Sequence, residues 1–121
     1  MKAGKVLPQR YFNRPALEVA RDLLDCQLCR QRDGTLERWP IIETEAYIGP
    51  EDQACHARAG RTRRTEVMFG PPGHWYVYLC YGIQWLLNIV TGPRDFPAAV
   101  LIRGAGEVSG PGRLTKALNI T

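Results

Sequence analysis

Ile41-Ile42-Glu43-Thr44-Glu45-Ala46-Tyr47-Ile48 runs into Gly49-Pro50-Glu51-Asp52, and behind that turn come Cys55, His56, Arg58, Arg61, Arg63 and Arg64. From Ile42 to Tyr47 the alternation predicts a half-buried strand, with Ile42, Thr44 and Ala46 on a small, mostly apolar face and Glu43, Glu45 and Tyr47 on the other. Gly49-Pro50 ends the strand in a turn. Carboxylates on an exposed strand face are ordinarily just solvated. A histidine and four arginines close behind make this pair a candidate site instead.

Working outward, residues 28–32 and 37–47 read as strands joined around Asp33-Gly34, a hairpin-type turn, with Pro40 signalling an edge or a break in pairing. Further upstream, Asn13 as N-cap and Pro15 in the first turn open an amphipathic helix over about residues 14–24. Its apolar positions are Leu17, Ala20 and Leu24, with Ala16, Val19 and Leu23 beside them. Downstream, residues 49–73 form a long irregular segment rich in Gly and Pro. Loops of that length in a small domain are generally functional or disordered, and His56, the arginines, Met68 and Phe69 favour function. Residues 74–81 and 84–90 read as strands around Gly82. Tyr76 and Tyr78 share one face of the first; Trp75, Val77, Leu79 and Tyr81 share the other. Residues 98–103 are a buried strand that delivers Arg103 at its end. Gly110-Pro111-Gly112 then opens a short helix with Leu114, Ala117 and Leu118 on one side. A glycine-led helix start can hold a phosphate, but two glycines and a proline are a weak signal.

The 121 residues suffice for one domain with a core of its own, and 45% apolar with 23% charged residues excludes a disordered chain. Sixteen basic against 12 acidic residues leave +4, and since Lys occurs only at 2, 5 and 116, the other 13 are Arg. That bias suits an anionic partner, because guanidinium forks onto phosphates and stacks on bases. A GC-rich genome is the bland alternative. No secretory leader pattern opens the chain, and the apolar run 75–90 is interrupted and too short for a membrane helix, so a cytoplasmic protein off the membrane is expected. Cys26, Cys29, Cys55 and Cys80 are then expected to be buried thiols. Cys26-x-x-Cys29 with His56 and His74 lacks the second paired motif that a zinc site needs.

These residues match the needs of an enzyme that reaches a base inside duplex DNA: a basic grip, a wedge for the gap in the stack, and an aromatic slot for the extruded base. Arg58, Arg61, Arg63, Arg64, Arg113 and Lys116 are candidates for the grip; Tyr47, Tyr76, Tyr78 and Tyr81 for slot and wedge. A carboxylate near the sugar would deprotonate water and offset the charge that develops on the ribose. Glu45 is the candidate, since it shares a strand face with Tyr47. For any single tyrosine, ordinary sheet packing is the bland reading.

Four blocks carry a resemblance. Ile-Glu-Thr-Glu-Ala-Tyr-Ile-Gly-Pro-Glu-Asp-x-Ala-x-His (42–56), Val-Met-Phe-Gly-Pro-Pro-Gly-His-Trp-Tyr-Val-Tyr-Leu-Cys-Tyr-Gly-Ile-Gln-Trp-Leu-Leu-Asn (67–88), Ala-Ala-Val-Leu-Ile-Arg (98–103) and Gly-Pro-Gly-Arg-Leu-Thr-Lys-Ala-Leu (110–118) resemble, in order, the alkyladenine or 3-methyladenine DNA glycosylase family. The resemblance implies that Glu45 is the general base and that Arg103 helps hold the attacking water. It implies that Tyr47, His56 and Tyr78 line the pocket, with Tyr47 stacked on the flipped base. Tyr81 matches the minor-groove wedge, Met68 a neighbour on the DNA surface, and Asn88 the pocket-floor residue that collides with the amine of normal guanine. Glu43 matches no catalytic role, and a structural one is expected.

The implied activity is monofunctional hydrolysis of the N-glycosidic bond of alkylated or deaminated purines (3-methyladenine, 7-methylguanine, hypoxanthine) in double-stranded DNA, by a monomer without cofactor or metal. In a bacterium it would work at the nucleoid. A lyase step needs an amine nucleophile, and the three lysines lie outside the pocket blocks. Cationic alkylated purines leave easily and favour an electron-rich slot. The implied fold is α+β (mixed α/β): one domain over residues 1–121, a mainly antiparallel sheet, curved as in the family, and flanking helices. Family chains continue past the Leu-Thr-Lys-Ala-Leu helix, and the link from Arg103 to Gly110 is short. One rival reading is therefore a catalytically weak lesion-sensing DNA-binding module or fragment. The other is an interaction domain whose tyrosines are core.

Overall fold

A computed structural model describes residues 6–48, 66–80 and 82–121. The elements are α1 (Ala16–Asp22), β1 (Gln27–Arg32), β2 (Thr35–Ile48), β3 (Trp75–Cys80), β4 (Gln84–Val90), β5 (Ala98–Ala105), β6 (Val108–Ser109) and α2 (Pro111–Leu118), with 3-10 turns at Gln9–Phe12, Leu23–Asp25 and Glu66–Phe69. The strands form one open sheet in the order β1-β2-β5-β4-β3, with β6 on β5. Every pairing among the described residues is antiparallel, giving a small single-domain α+β fold. No helix among those residues is long and apolar enough to cross a membrane.

β2 organises the sheet because it pairs twice. Its first part lies against β1, from Arg32 opposite Thr35 to Gln27 opposite Pro40, and its last part against β5, from Thr44 opposite Ile102 to Ile48 opposite Ala98. The β1–β2 turn puts Asp33 and Gly34 at φ 48° and 78°, the left-handed pair that a tight hairpin of matching twist requires. Pro40 has no N–H to give a ladder, and it sits where β2 changes partner; its carbonyl accepts the Gly106 N–H at 2.8 Å.

Two expected faces are corrected. The β2–β5 register shifts between Ile41 and Glu43 and again between Glu43 and Thr44. Such irregularity changes the phase of alternation. Ile41, not Ile42, therefore joins Ala46 against the main core, while Ile42 is exposed; Thr44 keeps that side and donates from Oγ1 to the Ala20 carbonyl at 2.8 Å. In α1 the buried stripe is Ala16, Val19 and Ala20, continued by Leu23, whereas Leu17 and Leu24 face outward. Pro15, not Asn13, is the N-cap, and no side chain caps the helix. The Pro15 carbonyl already accepts the Glu18 and Val19 N–H groups, so the helix begins after Pro15, and Asn13 closes the preceding turn. Arg14 stays outside α1: its Nε donates to the Tyr11 carbonyl and its Nη1 to Asp22 Oδ2, both at 2.9 Å.

β5 is central and apolar on both sides. Ala98, Val100 and Ile102 join Leu87 and Ile89 of β4 in a core with Ala16, Val19, Leu114 and Leu118 of the two helices. The other side of the sheet has a smaller cluster: Met68, Tyr76, Val90 and Ala99, with Tyr47, Phe69 and Tyr78 packed on it. α2 is tied to β4 from its middle and capped at its C-terminal end. Thr115 Oγ1 donates to the Trp85 carbonyl at 2.8 Å, and Asn119, at φ 55°, provides the left-handed cap. Arg30 and Arg32 donate to the last carbonyls of α2, at Leu118, Asn119 and Ala117. Cations belong there, at the negative end of the helix dipole. Part of the arginine excess thus serves the fold.

Gly112 of α2 lies against Gln84, the first residue of β4, and a Cβ built on it would sit 2.8 Å from the Gln84 Cβ. The tip of Gln84 can swing away, but its Cβ cannot without moving β4. Gly112→Ala is expected to destabilise the fold by about 1–3 kcal/mol, despite the higher helix propensity of Ala. Chemical denaturation checks this, and an unchanged or raised midpoint would show that β4 yields freely there.

Candidate active site

Strand pairing carries the chosen carboxylate onto the side of the sheet that bears the tyrosines. Glu45 stands opposite Leu101, Leu101 opposite Asn88, and Asn88 opposite Tyr76. Directly opposed residues share a face, so Glu45, Asn88 and Tyr76 lie in one row across β2, β5, β4 and β3. Tyr47 follows Glu45 two residues on, over the small Ala99, and Arg103 follows Leu101 two residues on. Neighbouring strands lie about 4.8 Å apart, so the row spans roughly 14 Å, enough for a flat heterocycle beside the carboxylate.

Both oxygens of Glu45 are engaged. Arg103 Nη1 donates to Oε2 at 2.8 Å, and the Tyr47 hydroxyl donates to Oε1. The Glu45 and Arg103 side chains remain 39% and 42% exposed, so water reaches the pair. Burial, and next the hydrogen bond to the Glu45 carboxylate, raise the Tyr47 phenol well above its ordinary value. Tyr47 therefore stays protonated at neutral pH and keeps donating. The bond to Glu45 likewise raises Arg103, which stays cationic. Each carboxylate oxygen has a second lone pair, so the engaged Glu45 still has room to accept from a water.

Asn88 is 2% exposed, and its Nδ2 donates to the Tyr76 carbonyl at 3.2 Å. That bond fixes the amide plane. Tyr76 is buried beneath Tyr78, the rings 5.1 Å apart and tilted by 38°. The structure thus brings together Glu45, Arg103, Tyr47, Tyr78 and Asn88 on one sheet face. His56 and Tyr81, with Arg58, Arg61, Arg63 and Arg64, lie outside the described residues.

Met68 is a correction. The resemblance placed it on the DNA surface, but it is 3% exposed and packs with Tyr76, Val90 and Ala99. The 3-10 turn Glu66–Phe69 tucks this flexible thioether under the aromatic cluster. The thiols also divide: Cys26 is buried, its Sγ near the Tyr11 hydroxyl and the Asp22 carbonyl, whereas Cys29 is exposed. Burial pushes the Cys26 thiol up. Among the described residues no group of His, Cys, Asp or Glu is arranged to hold a metal ion.

Sequence reasoning missed how Glu43 is held. Ser109 Oγ donates to Glu43 Oε1 at 2.5 Å, joining residues 66 apart in the chain. Nothing local around Ser109 signals this; only the β5–β6 pairing brings it there. A cavity of about 390 Å³, lined by Leu7, Phe12, Leu23, Cys26, Leu28, Ile41 and Ile89 among others, opens on the helix side of the sheet, away from Glu45. Its walls are mostly aliphatic and carry no acid.

The sequence model of the family described as Methylpurine-DNA glycosylase (MPG) matches residues 10–109. A relative from Methanocella arvoryzae, provisionally named a 3-methyladenine DNA glycosylase, is 49% identical over 137 aligned residues, covering 96% of this chain and 68% of its own. Relatives with the same provisional name are 50% identical in Anaeromyxobacter dehalogenans, covering 94% of this chain and 58% of the relative, and 48% identical in Wolbachia pipientis wMel, covering 100% and 69%. The chain thus spans 58% to 69% of the length of these three relatives.

Proposed function

Because the chain belongs to the methylpurine-DNA glycosylase family, we propose that it hydrolyses the N-glycosidic bond of damaged purines flipped out of double-stranded DNA, with Glu45 as general base. The observation that carries this reading is the Glu45 carboxylate held by Tyr47 and Arg103 at the open edge of an aromatic cluster. Water bound at Glu45 gives up a proton to the carboxylate as its oxygen bonds to C1′. The C1′–N bond breaks and its electron pair leaves with the base. For a purine cationic from alkylation at N3 or N7 that pair neutralises the leaving group, so 3-methyladenine and 7-methylguanine need no acid. Deaminated hypoxanthine, neutral, needs proton help from outside the Glu45 cluster. Carboxylate close to C1′ also offsets the positive charge building on the sugar.

Tyr47 and Tyr78 supply electron-rich faces for a cationic base. Tyr47, by donating to Glu45, also fixes where the carboxylate points. Asn88, anchored to the Tyr76 carbonyl, is the rigid floor that selects by shape. His56 completes the pocket and Tyr81 fills the vacated stack, both as the family resemblance implies. The enzyme acts as a monomer, without cofactor, in the cytoplasm.

The test is single-turnover base release from duplexes carrying 3-methyladenine or hypoxanthine. Release supports the reading. Tight, salt-sensitive lesion binding without release would replace it with a lesion-sensing module. Selectivity has its own check. Asn88→Ser removes bulk from the floor and is expected to raise release of normal guanine by about 10-fold relative to hypoxanthine, a small difference in steric fit within a pocket being worth ~1–3 kcal/mol. Unchanged discrimination would remove Asn88 from the argument.

A further inference from the structure

Arg103 poses a physical problem for any site that takes in DNA. Its side chain is 42% exposed, and among the described residues one hydrogen bond, to Glu45, holds it, so an approaching phosphate offers a rival partner of the same geometry. A surface pair of this kind contributes little by itself. Something must bias Arg103 toward the sheet.

Four observations converge on Glu43. Its Oε1 accepts from Ser109 Oγ at 2.5 Å. Gly104, the residue after Arg103, leaves room for that carboxylate: a Cβ there would sit 2.7 Å from Glu43 Oε1 and 3.0 Å from the Val108 carbonyl. The same segment is pinned by backbone, Gly104 pairing with Ser109 and the Gly110 N–H donating to the Arg103 carbonyl at 2.8 Å. The β2–β5 register shifts on both sides of Glu43, opposite Gly104. Irregularities of this kind re-aim a side chain.

We propose that Glu43 is a positioning residue for Arg103: with Ser109 it clamps the β5–β6 turn onto β2, holding Arg103 against Glu45 when DNA phosphates approach. The inference rests on the reading of Glu45 and Arg103 as the water-holding pair. Glu43 also acts on Arg103 through space, its charge favouring the cationic guanidinium. It touches no substrate atom in this scheme.

The experiment uses Glu43→Gln, which keeps an acceptor for Ser109 and removes the charge, beside Glu43→Ala and Ser109→Ala. The first readout is the guanidinium ¹⁵N–¹H NMR signature of Arg103 with and without an undamaged duplex. Wild type is expected to keep resolved, slowly rotating Nη signals in both states. Glu43→Ala should lose them when duplex is added, and Glu43→Gln should fall between. The second readout is single-turnover release: Glu43→Ala should lower the saturating rate by roughly 10-fold, as misplacement of a catalytic group does, with half-saturation within about 3-fold of wild type. An Arg103 signature identical to wild type in both Glu43 variants overturns the proposal, even if their thermal midpoints fall; that result would leave Glu43 a fold clamp alone. If wild type releases no base, the glycosylase reading has failed, while the NMR result still decides Glu43.

Discussion

Glu45→Gln is expected to lower the single-turnover rate of base release by roughly 10²–10⁴-fold, the usual contribution of a positioned general base, while the unfolding midpoint stays close to wild type. The two halves of this expectation come from one geometry. Gln has the shape of Glu, and its carbonyl oxygen can take the Arg103 Nη1–H bond now made to Oε2 at 2.8 Å. Its amide can donate to the Tyr47 oxygen, reversing the bond that Tyr47 now gives. What is lost is the negative charge, and with it both the proton acceptor and the stabilisation of a cationic sugar. Stability should suffer little, because the pair is 39% and 42% exposed and exposed pairs contribute at most about 1 kcal/mol. A Glu45→Gln rate within about 3-fold of wild type would sink the general-base assignment. A collapse of the unfolding midpoint would instead make Glu45 a structural residue.

Much of this was legible because local chemistry and the global fold agree. Asp33-Gly34 admits a tight turn, Gly110-Pro111 opens a helix, and the alternation from Glu43 to Tyr47 set Glu45 beside Tyr47; each appears where expected. What failed depended on the third dimension. Leu17 and Val19 are equally apolar, and either stripe of α1 could have faced the sheet; the start after Pro15 and the packing of Leu114 and Leu118 decide for Val19. Ile41 and Ile42 are chemically identical, and only the irregular pairing around Glu43 says which is buried. Met68 was read from resemblance as a surface contact, yet a thioether in a cluster rich in aromatic rings gains more by burial. Of the site, the carboxylate and the tyrosines could be read from spacing. The Ser109–Glu43 bond could not, since it needs β6 to exist first.

The contrast between the two sides of α1 and the centre of β5 leads to the largest stability effect expected in this fold. Ile102 is 1% exposed, stands opposite Thr44, and belongs to the core between the sheet and both helices. Ile102→Ala removes three carbons from a site whose neighbours belong to a stiff central strand, so relaxation cannot close the void. The expected loss is about 2–5 kcal/mol. Against a total of about 5–15 kcal/mol for a domain this size, that can unfold a large part of the population at physiological temperature. Ile102 already borders the 390 Å³ cavity on the helix side, and truncation would enlarge it. Leu17→Ala deletes a comparable side chain, 57% exposed, and is expected to change stability by no more than about 0.5 kcal/mol. Urea denaturation of the two variants beside wild type decides the matter. Equal losses would mean that α1 packs through the Leu17 stripe after all, and that the sheet lies against a different helix face. A large loss for Ile102→Ala alone, with an unchanged rate of base release per folded molecule, would separate the core that holds β5 in place from the Arg103 that the same strand delivers one residue later.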